Sequence, residues 1–284
     1  MKTVKRVPVE VFCHDCENMT DELRSAISQQ YCKYLHGTCV KPRKSEPSVK
    51  VGICTVGSTV NNEGKIKPVI ICPQRFKEEI MFETIRCKYL LHWTNVKWIK
   101  EVSIGVGGSV DYVAVELDNQ GQIKDFLCVE IQAGGTTGTP YPYVEKLKTN
   151  GNFEGVSSTY GINWANEFSK TMMQQAYKKG KIIEHWKRKI VFVVQDVAMQ
   201  YLAKASDCSL LQKYNERLPV DFCVFSLKWR NPEWHLQFKE RKSTSIDGIN
   251  LILGGAPADD FPTEEEFKNN IIQKGISDGV LSPI

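Results

Sequence analysis

The sequence predicts a mixed α/β fold, a central sheet flanked by helices, with an N-terminal metal-stapled subdomain packed on it. Three observations carry this expectation. After residue 76 the periodic segments run helix, strand, turn, strand, loop, helix, strand. One strand among them is an almost continuous apolar run, the pattern of a central position covered on both faces. Six of the ten cysteines, Cys13, Cys16, Cys32, Cys39, Cys54 and Cys72, crowd the first 72 residues, where the chain is basic, turn-rich and short of regular pattern.

The elements follow in order. "MTDELRSAISQQY" (residues 19–31) predicts a short helix capped by Thr20 or Asp21, with Leu23, Ile27 and Tyr31 along one face. Residues 32–72 are irregular, with short apolar pieces such as "VKVGICTV", and suit a subdomain held by metal. "FKEEIMFETIRCKYLLHW" (76–93) has helical periodicity. "SVDYVAVELD" (109–118) alternates as a strand, "NQGQ" turns the chain, and "IKDFLCVEIQ" (123–132) returns as the apolar strand. Residues 134–160, rich in Gly, Thr, Pro and Tyr, predict a long loop. A helix follows over 163–186, its Trp164, Phe168, Met172 and Ala176 four residues apart. Then come a buried strand "KIVFVV", a helix "AMQYLAKA", a strand "VDFCVFSLKW" and a late helix "PTEEEFKNNIIQ" with a Thr263/Glu266 capping box. The domain expectation is a metal-binding subdomain over 1–75 and a core with C-terminal recognition or dimerisation elements over 76–284.

Composition sets the outer limits. With 284 residues, 42% hydrophobic and 25% charged, the chain can bury a sizeable core and is not wholly disordered, collagen-like or coiled coil. No run approaches the roughly 18 apolar residues of a membrane span. The start, "MKTVKRVPVEVFCHDC", lacks the apolar stretch of an export signal, so a cytoplasmic, reducing location is expected. A net charge of +4 permits a polyanionic partner without demanding one.

In a reducing compartment thiols stay free or bind metal. A tetrahedral site needs four sulfurs about 2.3 Å from one ion, presented by tight turns. Gly37, Gly52 and Pro73 beside Cys39, Cys54 and Cys72 suit such turns, and Lys33, Lys41, Arg43 and Lys44 can offset thiolate charge. "CHDC" at Cys13 to Cys16 has a familiar ligand spacing, yet no second pair follows it. Spacing alone leaves open which four cysteines serve. Cys128 and Cys223, inside strand-like runs, read as small core hydrophobes.

The carboxylates say more. If the strands pair through "NQGQ", Asp111 near the start of one meets Glu130 near the end of the other. Gln132 shares the face of Glu130, because i and i+2 point the same way along a strand. Two adjacent carboxylates give Mg²⁺ hard oxygen ligands and leave room for water and a phosphate oxygen. A third polar residue beside them, often Lys, positions the nucleophile. Here it is Gln132, which carries no charge and cannot act as a base. Glu83, Glu116 and Asp118 are competing carboxylates, and solvated rim residues are the plain alternative.

These residues together resemble the NotI-like type II restriction endonucleases, the group that includes EagI. Cys32-x6-Cys39, "GICTV" with Cys54 and "VIICPQRF" with Cys72 look like that family's four-cysteine iron site. "GSVDYVAVEL" followed by "VEIQAGGTTGTPY" looks like its D…E-x-Q form of the PD-(D/E)xK nuclease motif, and "GINWAN" (161–166) is similar to a segment that follows. The match spans about residues 31–166. The resemblance implies a PD-(D/E)xK nuclease core. It implies Cys32, Cys39, Cys54 and Cys72 as ligands of one iron, with zinc the alternative, and leaves Cys13 and Cys16 as the alternative pair. It also implies Asp111, Glu130 and Gln132 as the catalytic set. Asp111, Glu130 and the Ile131 carbonyl would hold catalytic Mg²⁺.

The implied substrate is double-stranded DNA, cut at a GC-rich palindrome to leave 5′-phosphate ends. The implied partners are a second copy of the chain, since a palindrome calls for two-fold symmetry, and a cognate DNA methyltransferase. Phosphate contacts come from Lys and Arg, and Arg reads guanine. Candidates are Arg43, Arg75, Lys178, Lys179, Lys239, Arg241 and Lys242, with Arg86 and Arg230 as further arginines. "KWRNPEWHLQF" (228–238) predicts strand-loop-strand, with Trp229 and Trp234 in a core or interface. Rival readings are an iron–sulfur or zinc-containing repair or defence nuclease, and a non-enzymatic zinc-stapled DNA-binding module.

Overall fold

The computed structural model describes residues 2–60, 64–105, 108–157, 159–254, 269, 271–274 and 277. The Thr263/Glu266 capping box and most of the late helix lie outside the described residues.

The N-terminal part begins with strands β1 (Pro8–Val11) and β2 (His14–Asp15) and helix α1 (Asp21–Gln29). Thr20 caps α1 as expected: its hydroxyl accepts from the Leu23 amide at 3.2 Å, a contact worth about 1 kcal/mol. Short strands β3 (Tyr31–Cys32), β4 (Gly37–Thr38), β5 (Pro42–Arg43) and β6 (Glu46–Lys50) pair two by two. Strands β7 (Ile53–Thr59) and β8 (Ile66–Ile70) complete a four-stranded sheet in the order β2-β1-β7-β8.

Helix α2 (Glu79–Tyr89) leads into a seven-stranded mixed sheet. Its members are β9 (Val96–Ser103), β10 (Ser109–Leu117), β11 (Ile123–Gln132), β14 (Ile190–Gln195), β15 (Gln212–Lys213), β16 (Val220–Arg230) and β17 (Glu233–Thr244), in the order β15-β17-β16-β14-β11-β10-β9. β14 pairs parallel with β11 and β16, and the other pairs are antiparallel. All six residues of β14 are buried, each large apolar one adding about 1.5–3 kcal/mol. That is why "KIVFVV" reads as continuous rather than alternating.

Between β11 and β14 lie β12 (Thr136–Thr137), α3 (Tyr141–Asn150), β13 (Gly161–Ile162), a π-helical stretch (Ala165–Met172) and α4 (Met173–His185). Helices α5 (Asp196–Ala205) and α6 (Ile246–Gly254) complete the set. One face of the sheet, with Val113, Cys128, Phe192 and Val194, packs on α4, α5 and α6. The other, with Tyr112, Val129, Val191 and Val193, packs on Met81 and Ile85 of α2.

Two expectations change. Residues 134–160 are not all loop: α3 buries Tyr141, Val144 and Leu147 at helical spacing. Pro142 falls in its first turn, where no backbone N–H is needed, and Gly151 ends it with φ +72. That helix packs in one apolar cluster with Val11, Leu23 and Val56, so residues 141–162 adjoin the N-terminal sheet. Strand β9 escaped the sequence because it is an edge strand. Its "VKWIKEVS" interleaves lysine and glutamate, which blunts an exposed edge. Residues 228–238 do form strand-loop-strand, with Trp229 and Trp234 opposite each other across the β16–β17 hairpin.

Candidate active site

Strands β10 and β11 are registered with Tyr112 opposite Val129 and Val113 opposite Cys128. One further step sets Asp111 opposite Glu130. Directly opposite residues share a face and stand about 4.5–5.5 Å apart at Cβ. The hairpin holds this register through its turn, where Asp118 Oδ1 accepts from the amides of Gln120 and Gln122, each at 2.8 Å. The two strands interlock at the acidic end as well. Asp111 Oδ2 accepts from the Ile131 amide at 2.8 Å, and the Asp111 backbone hydrogen-bonds the Glu130 carboxylate.

Asp111 is half-buried and Glu130 is buried. Burial pushes the Glu130 carboxyl up to about 7; the neighbouring negative charge of Asp111 adds to this, and Lys179 opposes it. Lys179 Nζ donates to Glu130 Oε1 at 2.6 Å and to the Ser109 carbonyl at 2.7 Å. Gln132 lies on the same face, and its side-chain amide donates to the Ala133 carbonyl at 3.0 Å. An acidic pair of this kind can share a divalent cation. Among the described residues no group of three or more His, Cys, Asp or Glu side chains is placed to hold a metal ion, so the pair offers at most two carboxylate ligands.

The competing carboxylates are engaged elsewhere. Glu116 accepts from the Thr94 amide at 3.3 Å and pairs with Lys124 at 3.2 Å. Glu83 is exposed on α2, and α2 covers the sheet face opposite Glu130.

Of the DNA-contact candidates, two are buried in ion pairs. Arg75 is fully buried, held by Glu10, Glu78 and the Trp234 carbonyl. Lys179 is buried against Glu130. In both, a cation that reads as surface charge in sequence is drawn inward by a carboxylate. Lys178 is exposed. Lys239 is exposed 3.3 Å from Asp196, and Lys242 is half-buried. Arg43 lies 3.0 Å from Glu145. Arg241 stacks over Tyr214 at 3.6 Å and donates to the Lys88 carbonyl at 2.6 Å.

Sequence reading missed Lys179 as part of the acidic site, although a signal was present. The buried stripe of α4 and the turns before it runs Phe168, Met172, Ala176, Lys179/Gly180, Ile183. A lysine at a core position of such a stripe needs a buried partner.

The second candidate centre is the thiol cluster. Cys32, Cys39, Cys54 and Cys72 line one small enclosed cavity together with Phe12 and Gly52. Gly52 has φ +68, and a Cβ there would stand 2.4 Å from the Phe12 ring, so only glycine lets these turns close. Cys13 Sγ is 3.6 Å from Cys32 Sγ and 3.4 Å from Cys54 Sγ, and Cys54 in turn contacts Cys72. The sulfurs thus form a chain, Cys32–Cys13–Cys54–Cys72, rather than a closed tetrahedron. Cys16 turns away and donates to the Pro8 carbonyl at 3.2 Å. Thiols are the donor type that a soft or borderline cation takes, but among the described residues these sulfurs do not close around an ion position.

A family model described as restriction endonuclease NotI matches residues 19–215. No curated protein sequence matches the chain. Among the described residues no helix is long and apolar enough to cross a membrane.

Proposed function

The chain belongs to the NotI restriction endonuclease family, and from that premise we propose that it is a type II enzyme built on a PD-(D/E)xK core. It hydrolyses double-stranded DNA at a GC-rich palindrome as a homodimer, with Mg²⁺, and leaves 5′-phosphate and 3′-hydroxyl ends. A methyltransferase of the same specificity protects the host DNA. The observation that carries this reading is the register that sets Asp111 across from Glu130 on one face.

Asp111, Glu130 and the Ile131 carbonyl would hold the Mg²⁺. Bound there, the ion supplies acidification of the attacking water and neutralisation of charge developing on the phosphate. The interlocked backbone of β10 and β11 keeps the two carboxylates adjacent. The Gln132 amide, free of charge, orients the water and takes no proton. Lys and Arg side chains at the surface, Lys178, Lys239, Arg241, Lys242 and Arg43 among them, neutralise DNA phosphates.

Digestion of a sequenced GC-rich DNA with Mg²⁺, followed by end mapping, should give discrete fragments with 5′-phosphates. Asp111→Ala and Glu130→Ala should each slow cutting by about 1,000-fold or more, the several kcal/mol a lost metal site represents. Full-rate cutting by either variant removes that residue from the site, and no cutting by the wild type overturns the reading.

For the thiols we propose an iron site, with zinc as its alternative, that staples residues 1–75. Cys32, Cys54 and Cys72 serve as ligands. The family resemblance makes Cys39 the fourth ligand, whereas the sulfur contacts favour Cys13. Metal content of purified Cys13→Ser and Cys39→Ser separates the two: the true ligand's variant loses metal and the other keeps it. Absorption in the visible distinguishes iron from colourless zinc.

A further inference from the structure

A buried lysine is costly unless it is paired and hydrogen-bonded. Lys179 occupies a core position of α4, where an apolar residue would simply continue the stripe of Met172, Ala176 and Ile183. It is instead tied to both strands that carry the acidic pair. Its Nζ donates to Glu130 Oε1 on β11 at 2.6 Å, and on β10 to the carbonyl of Ser109, two residues before Asp111, at 2.7 Å. Among the described residues no other Lys or Arg forms an ion pair with Asp111 or Glu130. Meanwhile the position two residues after Glu130, where nucleases with this motif often place a lysine, holds neutral Gln132, turned onto the Ala133 carbonyl.

We propose that Lys179 supplies, from helix α4, the positive charge that the Glu-Ile-Gln strand omits. This rests on the nuclease reading above. Lys179 is a positioning residue. It fixes one oxygen of Glu130 and locks the ends of β10 and β11 together beneath the reacting phosphate. It also sets a fixed cation beside the two carboxylates, Asp111 and Glu130. Such preorganised charge is worth about 100-fold in rate. Moving the lysine to the helix leaves the strand position free for an amide.

The discriminating experiment is a charge transplant, read by single-turnover cleavage of the mapped DNA with Mg²⁺, by DNA binding in Ca²⁺ and by urea unfolding. Lys179→Gln should cut about 100-fold more slowly while still binding DNA in Ca²⁺. Adding Gln132→Lys to Lys179→Gln, which restores a lysine at the usual place, should recover at least about tenfold of that loss. A merely structural ion pair gives no such recovery, because the side chain introduced on β11 by Gln132→Lys cannot refill the space vacated on α4. Lys179→Met, which continues the apolar stripe, carries the same test if Lys179→Gln does not fold. Full-rate cutting by either single variant overturns the proposal, as does a folded double variant no faster than the single one. If Glu130→Ala abolishes cutting while Lys179→Gln cuts normally, the nuclease reading stands and Lys179 falls. If the wild type cuts nothing, both fall.

Discussion

Two buried cation–carboxylate clusters sit in this molecule, and they are built differently. In the first, Arg75 Nε reaches both oxygens of Glu10 at 2.9 Å, Nη1 reaches Glu78 at 2.8 Å, and Nη2 reaches the Trp234 carbonyl at 2.7 Å. Glu10 also takes the Thr55 hydroxyl. Every nitrogen of the guanidinium is engaged, and nothing in it faces water. In the second, Lys179 meets Glu130 through one oxygen and borrows a single carbonyl, beside a half-buried Asp111. The first cluster joins β1, α2 and β17 and has no capacity left over. The second keeps acceptor capacity at the edge of solvent, and its carboxylate is not comfortable as an anion. The proposed active site rests on the unsaturated cluster, where a second acid stands beside the first, and not on the saturated one.

The contrast is broken most directly at Arg75. Arg75→Met removes the one charge that offsets Glu10 inside the protein. Leaving a buried carboxylate unpaired costs about 3–5 kcal/mol. Urea unfolding should show that loss, with cutting by the surviving folded fraction unchanged. A stability loss below about 1 kcal/mol, or a selective loss of DNA affinity, would mean that Arg75 is a recognition residue after all.

The Glu130 side should respond with the opposite sign. Its carboxyl is held near 7 in the fold against a usual 4.5, so folding favours the protonated form. The associated stability is fully present below pH 4.5 and is lost as pH rises through 7. Glu130→Gln removes that dependence. In metal-free buffer the stability of the variant relative to wild type should shift in the variant's favour by about 1–2 kcal/mol between pH 4 and pH 8. The offset at pH 4 carries the separate cost of leaving buried Lys179 without its carboxylate. A difference unchanged from pH 4 to pH 8 would place Glu130 with Glu10 as a satisfied structural acid.

How much of this was legible in the sequence depends on whether the cause was local. Helix α1, the β10–β11 hairpin and β14 announce themselves through a cap, a turn and an apolar run, all within a few residues. The acidic pair followed from the hairpin, because a two-strand register fixes which residues oppose. The fates of Arg75 and Lys179 did not follow. Their partners are Glu10, Trp234 and Glu130, 65, 159 and 49 residues away, and only the folded sheet brings them near. Cys13 was legible as a candidate ligand, but not its contact with Cys32 and Cys54, which depends on the tight turn at Gly52 against Phe12. Helix α3 was hidden by Gly, Thr and Pro around it, although its Tyr141, Val144 and Leu147 spacing was already in view.

The finest test lies at the edge of the saturated cluster, at Glu78. This residue precedes α2 and accepts from Arg75 at 2.8 Å and the Leu236 amide at 2.9 Å, with His235 Nδ1 at 3.1 Å. Burial works to raise its pKa, but the Leu236 amide, Arg75 and His235 together win and hold it below its usual 4.5. A carboxyl depressed in the fold contributes stability that is present above pH 4.5 and is lost as pH falls through the lower folded value. Glu78→Gln should therefore weaken the protein by about 1 kcal/mol at pH 7, the worth of a charged hydrogen bond partly replaced by a neutral one. The gap between variant and wild type should close as pH drops from 5 to 3 in urea titrations. Because Arg75 keeps Glu10, this loss must be smaller than that of Arg75→Met. If the two were equal, Arg75 would be held mainly by Glu78, and the closed character of the cluster would rest on its most exposed member rather than on the buried pair.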